Sequence, residues 1–161
     1  MNDSRSRPDF VAPHVRALPR SGIRDFFDLV ATRRDVISLG IGEPDFVTPW
    51  HIRERAVTAL EQGATHYTAN LGLAALRMAV ARYVARAYEG LAYDWRSEIL
   101  VTVGASEGLD LAIRATISPG DELLHHDPCF VAYAPLTRLA HGVPVAVPTA
   151  AAGGFRLTRE A

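Results

Sequence analysis

The chain of 161 residues has a formal net charge of −1, with 48% apolar and 22% charged residues, which is typical of a globular domain and not of a disordered segment. No apolar run in the sequence approaches the roughly 20 residues that a membrane-spanning helix requires, and the charge does not suggest a nucleic acid or membrane partner. The N-terminus lacks a secretion signal, and the single cysteine, Cys129, excludes an internal disulfide. We therefore expect a cytoplasmic protein.

The basic residues are unusual in kind, because all 17 are arginine. GC-rich codon usage accounts for such a bias, but the chemical consequence holds whatever its origin. Since the sequence contains no lysine, no side-chain amine of this chain can form a Schiff base.

The N-terminal third is predicted to be a loose arm, a helix and a short strand. Three prolines and scattered arginines occupy residues 1–20, which predicts an irregular arm. Ser21 is a suitable N-cap, and residues 22–32 place apolar side chains at helical spacing. Residues 36–39 predict a short strand that ends at two nearby glycines.

Two further helices are predicted before the middle of the chain. Thr48 is expected to cap the first, with Pro49 in its opening turn and its end near Glu61. The second runs from Gly72 to Tyr88 and has a continuous apolar face. Three arginines are expected to lie off that face: Arg77, Arg82 and Arg86.

The second half alternates strand and helix signals. Apolar runs predict strands at 99–103, 122–126 and 143–147, and the segments between them predict helices at 107–117 and 131–140. This alternation favours parallel βαβ units and therefore an α/β fold.

The strongest candidate site is the Gly104-Ala105-Ser106 segment between a predicted buried strand and a helix. A helix N-terminus offers unpaired N–H groups and a positive dipole end, and small residues let a phosphate approach the backbone. The Ser106 hydroxyl adds a hydrogen-bond donor. An ordinary strand-to-helix turn with serine as its cap is an equally good interpretation of these residues alone.

Two other segments could contact a ligand. The glycines around Ile41 permit close backbone approach, although a simple strand-ending turn explains Gly40 and Gly42 as well. Phe130 follows the 122–126 strand and could stack on a flat ligand or belong to the core.

A metal site is not expected. His125 and His126 are adjacent on a predicted strand, so their side chains point to opposite faces and cannot easily bind one ion. No cluster in the sequence has zinc-ligand spacing.

Taken together, the motifs resemble the fold-type-I, class I/II aminotransferases of the aspartate and aromatic kind, from about residue 20 to the end. The Gly-Glu-Pro-Asp-Phe segment is the most specific match. The matching stretches are Ser21-Gly22-Ile23-Arg24, residues 37–49, His66-Tyr67-Thr68 with Gly72 and Leu76-Arg77, residues 102–109, Pro119-Gly120-Asp121-Glu122, and residues 128–133.

The resemblance implies pyridoxal 5'-phosphate as cofactor and roles for particular residues. Gly104-Ala105-Ser106 would bind its phosphate, and Phe130 would stack on its pyridine ring. Tyr67 would reach the cofactor phosphate of the neighbouring subunit of a homodimer. Ile41-Gly42 would line the site for the carboxylate of the amino acid or 2-oxo acid substrate.

The resemblance also implies an incomplete PLP-transferase large domain. Residues 1–35 would form an arm and helix of the small domain, and residues 36–161 would form a truncated cofactor-binding domain with three of seven expected strands. The family's later segments, including the lysine that binds the cofactor and moves the proton, have no counterpart in this sequence. We therefore expect a fragment that is inactive alone, and that is either unstable, oligomeric through non-native contacts, or part of a longer product.

Two alternatives remain open. A different enzyme of the same fold type, such as a carbon–sulfur lyase or a decarboxylase, shares the phosphate-loop and sheet features. A non-catalytic truncated paralogue is consistent with the absence of lysine.

Overall fold

The computed structural model describes residues 10–19, 35, 37, 42 and 44–158. These residues fall into two compact units, one drawn from Met1–Leu29 and Val103–Ala161 and the other from Val30–Thr102. The elements, in chain order, are α1 (Pro13–Arg16), α2 (Trp50–Glu61), α3 (Ala74–Ala87), α4 (Gly104–Thr116), β1 (Glu122–Asp127), α5 (Tyr133–Leu139), β2 (Val143–Pro148) and a 3-10 helix (Ala151–Gly153).

The first unit is built on a parallel pair of strands. β1 pairs with β2 in a register that sets Leu124 opposite Val145, and α5, which connects the two strands, packs against both. This is one complete βαβ unit, so the predicted α/β class is confirmed. Helices α1 and α4 also contact α5 in this unit.

Helix α5 forms despite its internal proline. Pro135 occupies the third position of the helix. A backbone N–H at this position would have no intrahelical acceptor, so the lack of an N–H on proline costs little here. Thr137 is fully buried, and its hydroxyl donates to the Tyr133 carbonyl at 2.8 Å. Ile113 of α4 and Ala140 are the other buried residues among those described in this unit.

The second unit contains α2 and α3, and its best-buried side chain is a charged one. Arg77 is only 7% exposed, and its guanidinium donates to the carbonyls of Gly72, Trp95 and Arg96. The prediction that Arg77 lies off the buried face of its helix is therefore wrong. Carbonyl acceptors and the flanking Trp95 ring compensate the buried charge of Arg77. Hydrophobic periodicity alone does not anticipate the burial of a charged side chain.

The predicted strand at 99–103 is not formed, so the described chain has two strands and not three. The Val101 N–H donates to the Leu71 carbonyl, 3.1 Å away, in a loop. A strand requires a hydrogen-bonded neighbouring strand, and none lies beside this segment among the described residues. An apolar run reveals the tendency to be extended but not whether a partner is present.

Two other predictions also change in detail. The predicted arm contains a short helix, α1, with Pro13 in its first turn. Helix α2 begins at Trp50 with Pro49 as N-cap, and Thr48 does not cap it. The predicted helix at 22–32 lies outside the described residues, as does the predicted strand at 36–39 apart from Ile37.

The structure also bears on membrane association. None of the helices in the described part of the chain is long and apolar enough to cross a bilayer.

Candidate phosphate-binding site

The candidate phosphate segment forms the first turn of helix α4. The helix begins at Gly104, three residues before the predicted start at Glu107, so Gly104, Ala105 and Ser106 lie within the helix and not before it. All three residues are exposed. Gly104 has a φ of +81°, which few residues other than glycine adopt, and a side chain at this position would meet nothing within 4 Å.

The first turn is open to an acceptor from outside the helix. Val103, the N-cap residue, makes no side-chain cap hydrogen bond, and the N–H groups of Ala105 and Ser106, in the first turn, have no carbonyl partner within their own helix. The helix has 13 residues, long enough for its dipole to favour an anion at this end. Ser106 adds an exposed hydroxyl beside these N–H groups.

Glu107 has a structural role that the motif did not reveal. Its carboxylate accepts a hydrogen bond from the Val103 N–H, immediately before the helix. This contact resembles the backward-reaching half of a capping box and fixes the entry of the chain into α4. A glutamate four residues after the last strand-like residue is the sequence signal that could have indicated it.

Phe130 lies in the loop between β1 and α5, at the carboxyl end of β1. Its ring meets the Tyr133 ring edge-on, with centroids 5.9 Å apart and an interplanar angle of 86°. The Phe130 side chain remains 45% exposed, so it is not a core residue. An aromatic ring that is held by a T-shaped contact and remains nearly half exposed can stack on a flat ligand.

The segment between β1 and Phe130 is fixed by hydrogen bonds, some local and one pair from Thr149, after β2. Thr149 binds the Asp127 carbonyl through both its N–H and its hydroxyl, each at 2.8 Å. A nitrogen of His126 lies 2.6 Å from the Pro128 carbonyl oxygen, and Cys129 Sγ lies 3.4 Å from a nitrogen of His125. In the part of the chain that the structure describes, no group of three or more potential metal ligands occurs.

The remaining predicted site residues belong to the second unit. Tyr67 is fully exposed, with its side chain in solvent. Gly42 is exposed, and a side chain there would meet nothing within 4 Å. Ile41 lies outside the described residues.

A cavity of about 410 Å³ opens in the first unit beneath β1 and α4. Its lining is mostly apolar, with two histidines and a tyrosine at its polar positions. The lining residues are Leu109, Ile113, Leu123, Leu124, His125, His126, Tyr133 and Leu157.

Comparison with known families decides the assignment. The family described as aminotransferase class I and II matches residues 34–161, which include the first turn of α4, the β1–β2 unit and Phe130. This chain belongs to the class I and II aminotransferase family. The resemblance inferred from the motifs is thereby confirmed.

Individual relatives support the same assignment. The chain is 52% identical over 149 residues to the Bacillus subtilis protein named "Putative aminotransferase YugH", covering 92% of this chain and 38% of that protein. It is 47% identical over 137 residues to an aspartate aminotransferase of Pyrococcus abyssi, covering 85% and 35%. It therefore spans less than two fifths of the length of these relatives.

The fold agrees with solved structures of the family. The aspartate aminotransferase of Rhizobium meliloti superposes with a TM-score of 0.84 at 34% identity, covering 95% of this chain and 39% of that one. The aromatic aminotransferase of Pyrococcus horikoshii gives a TM-score of 0.74 at 45% identity, covering 86% and 36%.

Proposed function

We propose that this chain supplies the phosphate-binding and ring-stacking part of a pyridoxal 5'-phosphate site in an amino-acid aminotransferase. The observation that carries the proposal is the exposed first turn of α4, where small residues leave the Ala105 and Ser106 N–H groups accessible. Family membership supplies the cofactor and the reaction class. The substrates would be amino acids and 2-oxo acids.

The residues present fit two of the three parts of this cofactor. Its phosphate fits the N–H groups of Ala105 and Ser106, the Ser106 hydroxyl and the positive end of the helix dipole. Its ring fits a partly exposed aromatic ring such as that of Phe130. Its aldehyde has no lysine to attach to, because all 17 basic residues of the sequence are arginine.

This division defines what the chain's own residues do. When bound, the cofactor withdraws electrons from the bond that breaks at the amino acid's α-carbon. The first turn of α4 would hold the phosphate, and Phe130 would orient the ring. No lysine of this chain can move the substrate proton, so we propose that the chain alone does not catalyse transamination.

The proposal extends to the whole enzyme through family membership. In a homodimer, Tyr67 would reach the phosphate of the neighbouring subunit, and Ile41-Gly42 would line the substrate carboxylate site. Residues 1–35 would belong to the arm and small domain, and residues 36–161 to the cofactor-binding domain. A cytoplasmic location fits such an enzyme.

A second reaction class remains a competing proposal. A carbon–sulfur lyase or decarboxylase of the same fold type would use the same phosphate turn. The names of the relatives favour transamination, since those cited above are all called aminotransferases. The finding that none of the 161 residues is lysine favours a non-catalytic role for this chain in isolation.

The test is a binding titration of the purified chain with pyridoxal phosphate and, separately, with pyridoxal. We expect binding of the phosphorylated form only, and at least about a tenfold loss of affinity in Ser106→Asp, because a carboxylate in the first turn repels a phosphate. The same substitution favours the helix dipole, so weaker binding cannot be attributed to unfolding of α4.

The matched control is Ala115→Asp, which adds the same charge near the other end of α4. We expect its affinity for pyridoxal phosphate to stay within about twofold of the unmodified chain. Equal binding of pyridoxal and pyridoxal phosphate would contradict the proposal. So would a borohydride-reduced adduct on any side chain.

A further inference from the structure

Two histidines from distant parts of the sequence lie against each other in the first unit. The rings of His14, on α1, and His141, just after α5, have centroids 4.6 Å apart and an interplanar angle of 52°. Both residues are exposed, so protons can reach them from solvent. The contact forms part of the packing of α1 on α5.

Two arginines lie on the elements that carry or adjoin the pair. Arg16 lies on α1 and Arg138 on α5, the two elements that meet at this contact. The Gly120 N–H donates to the His141 carbonyl, which brings the next residue, Asp121, towards the pair. The Asp121 carboxylate, however, accepts a hydrogen bond from the Ser118 N–H.

The other elements packed on α5 also carry ionisable side chains. They are Glu107, Asp110 and Arg114 on α4, and Glu122, His125, His126 and Asp127 on β1. Within the described ranges, no hydrogen bond or ion pair joins any of these side chains to the His14 or His141 ring. Asp110 pairs with Arg114 instead.

We propose that the contact between His14 and His141 makes the docking of residues 10–19 on α5 sensitive to pH. Imidazoles gain a proton within the physiological range. Neutral rings, or one neutral and one charged ring, can stay in contact. Two charged rings at this spacing repel. Docking of the segment is therefore stronger at neutral pH than in acid.

The helix that is docked has little to hold it otherwise. α1 has four residues, far fewer than the roughly 12 that an isolated helix needs to persist in water. The hydrogen bonds of the Arg16 and Ala17 amides to the Ala12 and Pro13 carbonyls, both at 3.0 Å, therefore depend on docking against α5. Their hydrogen exchange reports whether the segment is docked.

The test is backbone hydrogen exchange of the intact chain from about pH 7.5 to about pH 5, corrected for the intrinsic rate, across the range where histidine titrates. We expect protection at Arg16 and Ala17 to fall roughly fivefold, as the repulsion of two unit charges at this spacing in a water-like dielectric implies. Protection at Leu124 and Val145, in the paired strands, should stay unchanged and so exclude global unfolding.

The variants are His141→Asn and His14→Asn. His141 has a φ of +63°, and asparagine tolerates this backbone conformation well, so the first variant removes the charge without adding strain. Either variant should abolish the pH dependence, whereas His51→Asn, on the unrelated α2, should preserve it. The proposal would be overturned if protection at Arg16 and Ala17 in the native chain did not change between the two pH values. It would also be overturned if protection fell as much in His14→Asn and His141→Asn as in the native chain. None of these outcomes depends on cofactor binding.

Discussion

The guanidinium of Arg77 donates a hydrogen bond of 2.7 Å to the Trp95 carbonyl and lies 5.4 Å from the centre of the Trp95 ring. A buried cation is thus held by backbone carbonyls and an aromatic face, with no carboxylate bonded to it among the described residues. Removing one partner of such an arrangement leaves several polar groups unsatisfied. Arg77 therefore joins helix α3 to the turn around Trp95.

The Arg77 arrangement predicts a large loss of stability in Arg77→Met. We expect the free energy of unfolding to fall by about 2–4 kcal/mol, because carbonyls that are bonded to a charged donor lose it. Arg77→Lys should lose less, since one ammonium can reach only part of the set. Arg82→Met, exposed on the same helix, serves as control and should change stability by less than about 0.5 kcal/mol. Urea unfolding followed by tryptophan fluorescence measures all three.

Gly72 predicts a second sensitive position in the same unit. A side chain there would lie 2.6 Å from the Val101 Cβ, and its φ is +93°, so Gly72→Ala meets both a clash and backbone strain. We expect a loss of about 2–4 kcal/mol in urea unfolding. Gly63→Ala, with a φ of +75° and open space around it, should show the strain alone. Equal losses for the two variants would refute the close approach to Val101.

Asp94 predicts an acid-dependent contribution to stability. The Arg96 N–H, followed by the Ser97 hydroxyl and the Arg96 charge, holds the pKa of the Asp94 carboxyl below its ordinary value of 3.8. A carboxyl whose pKa is lower in the folded state stabilises the fold above its ordinary pKa. This contribution is lost as the pH falls through the lowered value.

The measurement is the urea midpoint of the native chain and of Asp94→Asn at several pH values. The difference between them should be constant above about pH 5 and should shrink steadily below about pH 4. A difference that grows towards low pH would reverse the predicted sign.

If Phe130 stacks on the cofactor ring, its replacement should change the affinity for pyridoxal phosphate but not for inorganic phosphate. In Phe130→Leu we expect affinity for pyridoxal phosphate to fall about 3–10-fold, since aromatic stacking contributes about 0.5–1.5 kcal/mol. Affinity for inorganic phosphate should not change, because the first turn of α4 is intact. Phe46→Leu, at an 85% exposed position, is the control. Parallel losses for both ligands in Phe130→Leu would indicate a structural role instead.

The sequence predicts the βαβ unit well because its signals are local. Strands at 122–126 and 143–147 and a helix between them are formed nearly as predicted. Apolar runs and turn residues indicate these elements, and the two strands of the unit supply each other's hydrogen-bonded partner. The predicted strand at 99–103 fails because strand formation also depends on a neighbouring strand, which a local pattern does not contain.

The candidate site was predictable in identity but not in detail. Gly104, Ala105 and Ser106 do lie at a helix N-terminus, as the motif indicates. The hydrogen bond from the Val103 N–H to Glu107 and the edge contact between Phe130 and Tyr133 depend on side-chain conformations. The burial of Arg77 is invisible to hydrophobic periodicity because the acceptors are backbone carbonyls distant in sequence.

The most direct test of the phosphate site is an amide NMR titration of the chain with pyridoxal phosphate. The first turn of α4 is predicted to bind the phosphate through its N–H groups, so the Ala105 and Ser106 amides should shift most, and they should not shift with pyridoxal. Saturable binding of pyridoxal phosphate that leaves the Ala105 and Ser106 amides unmoved would contradict the account.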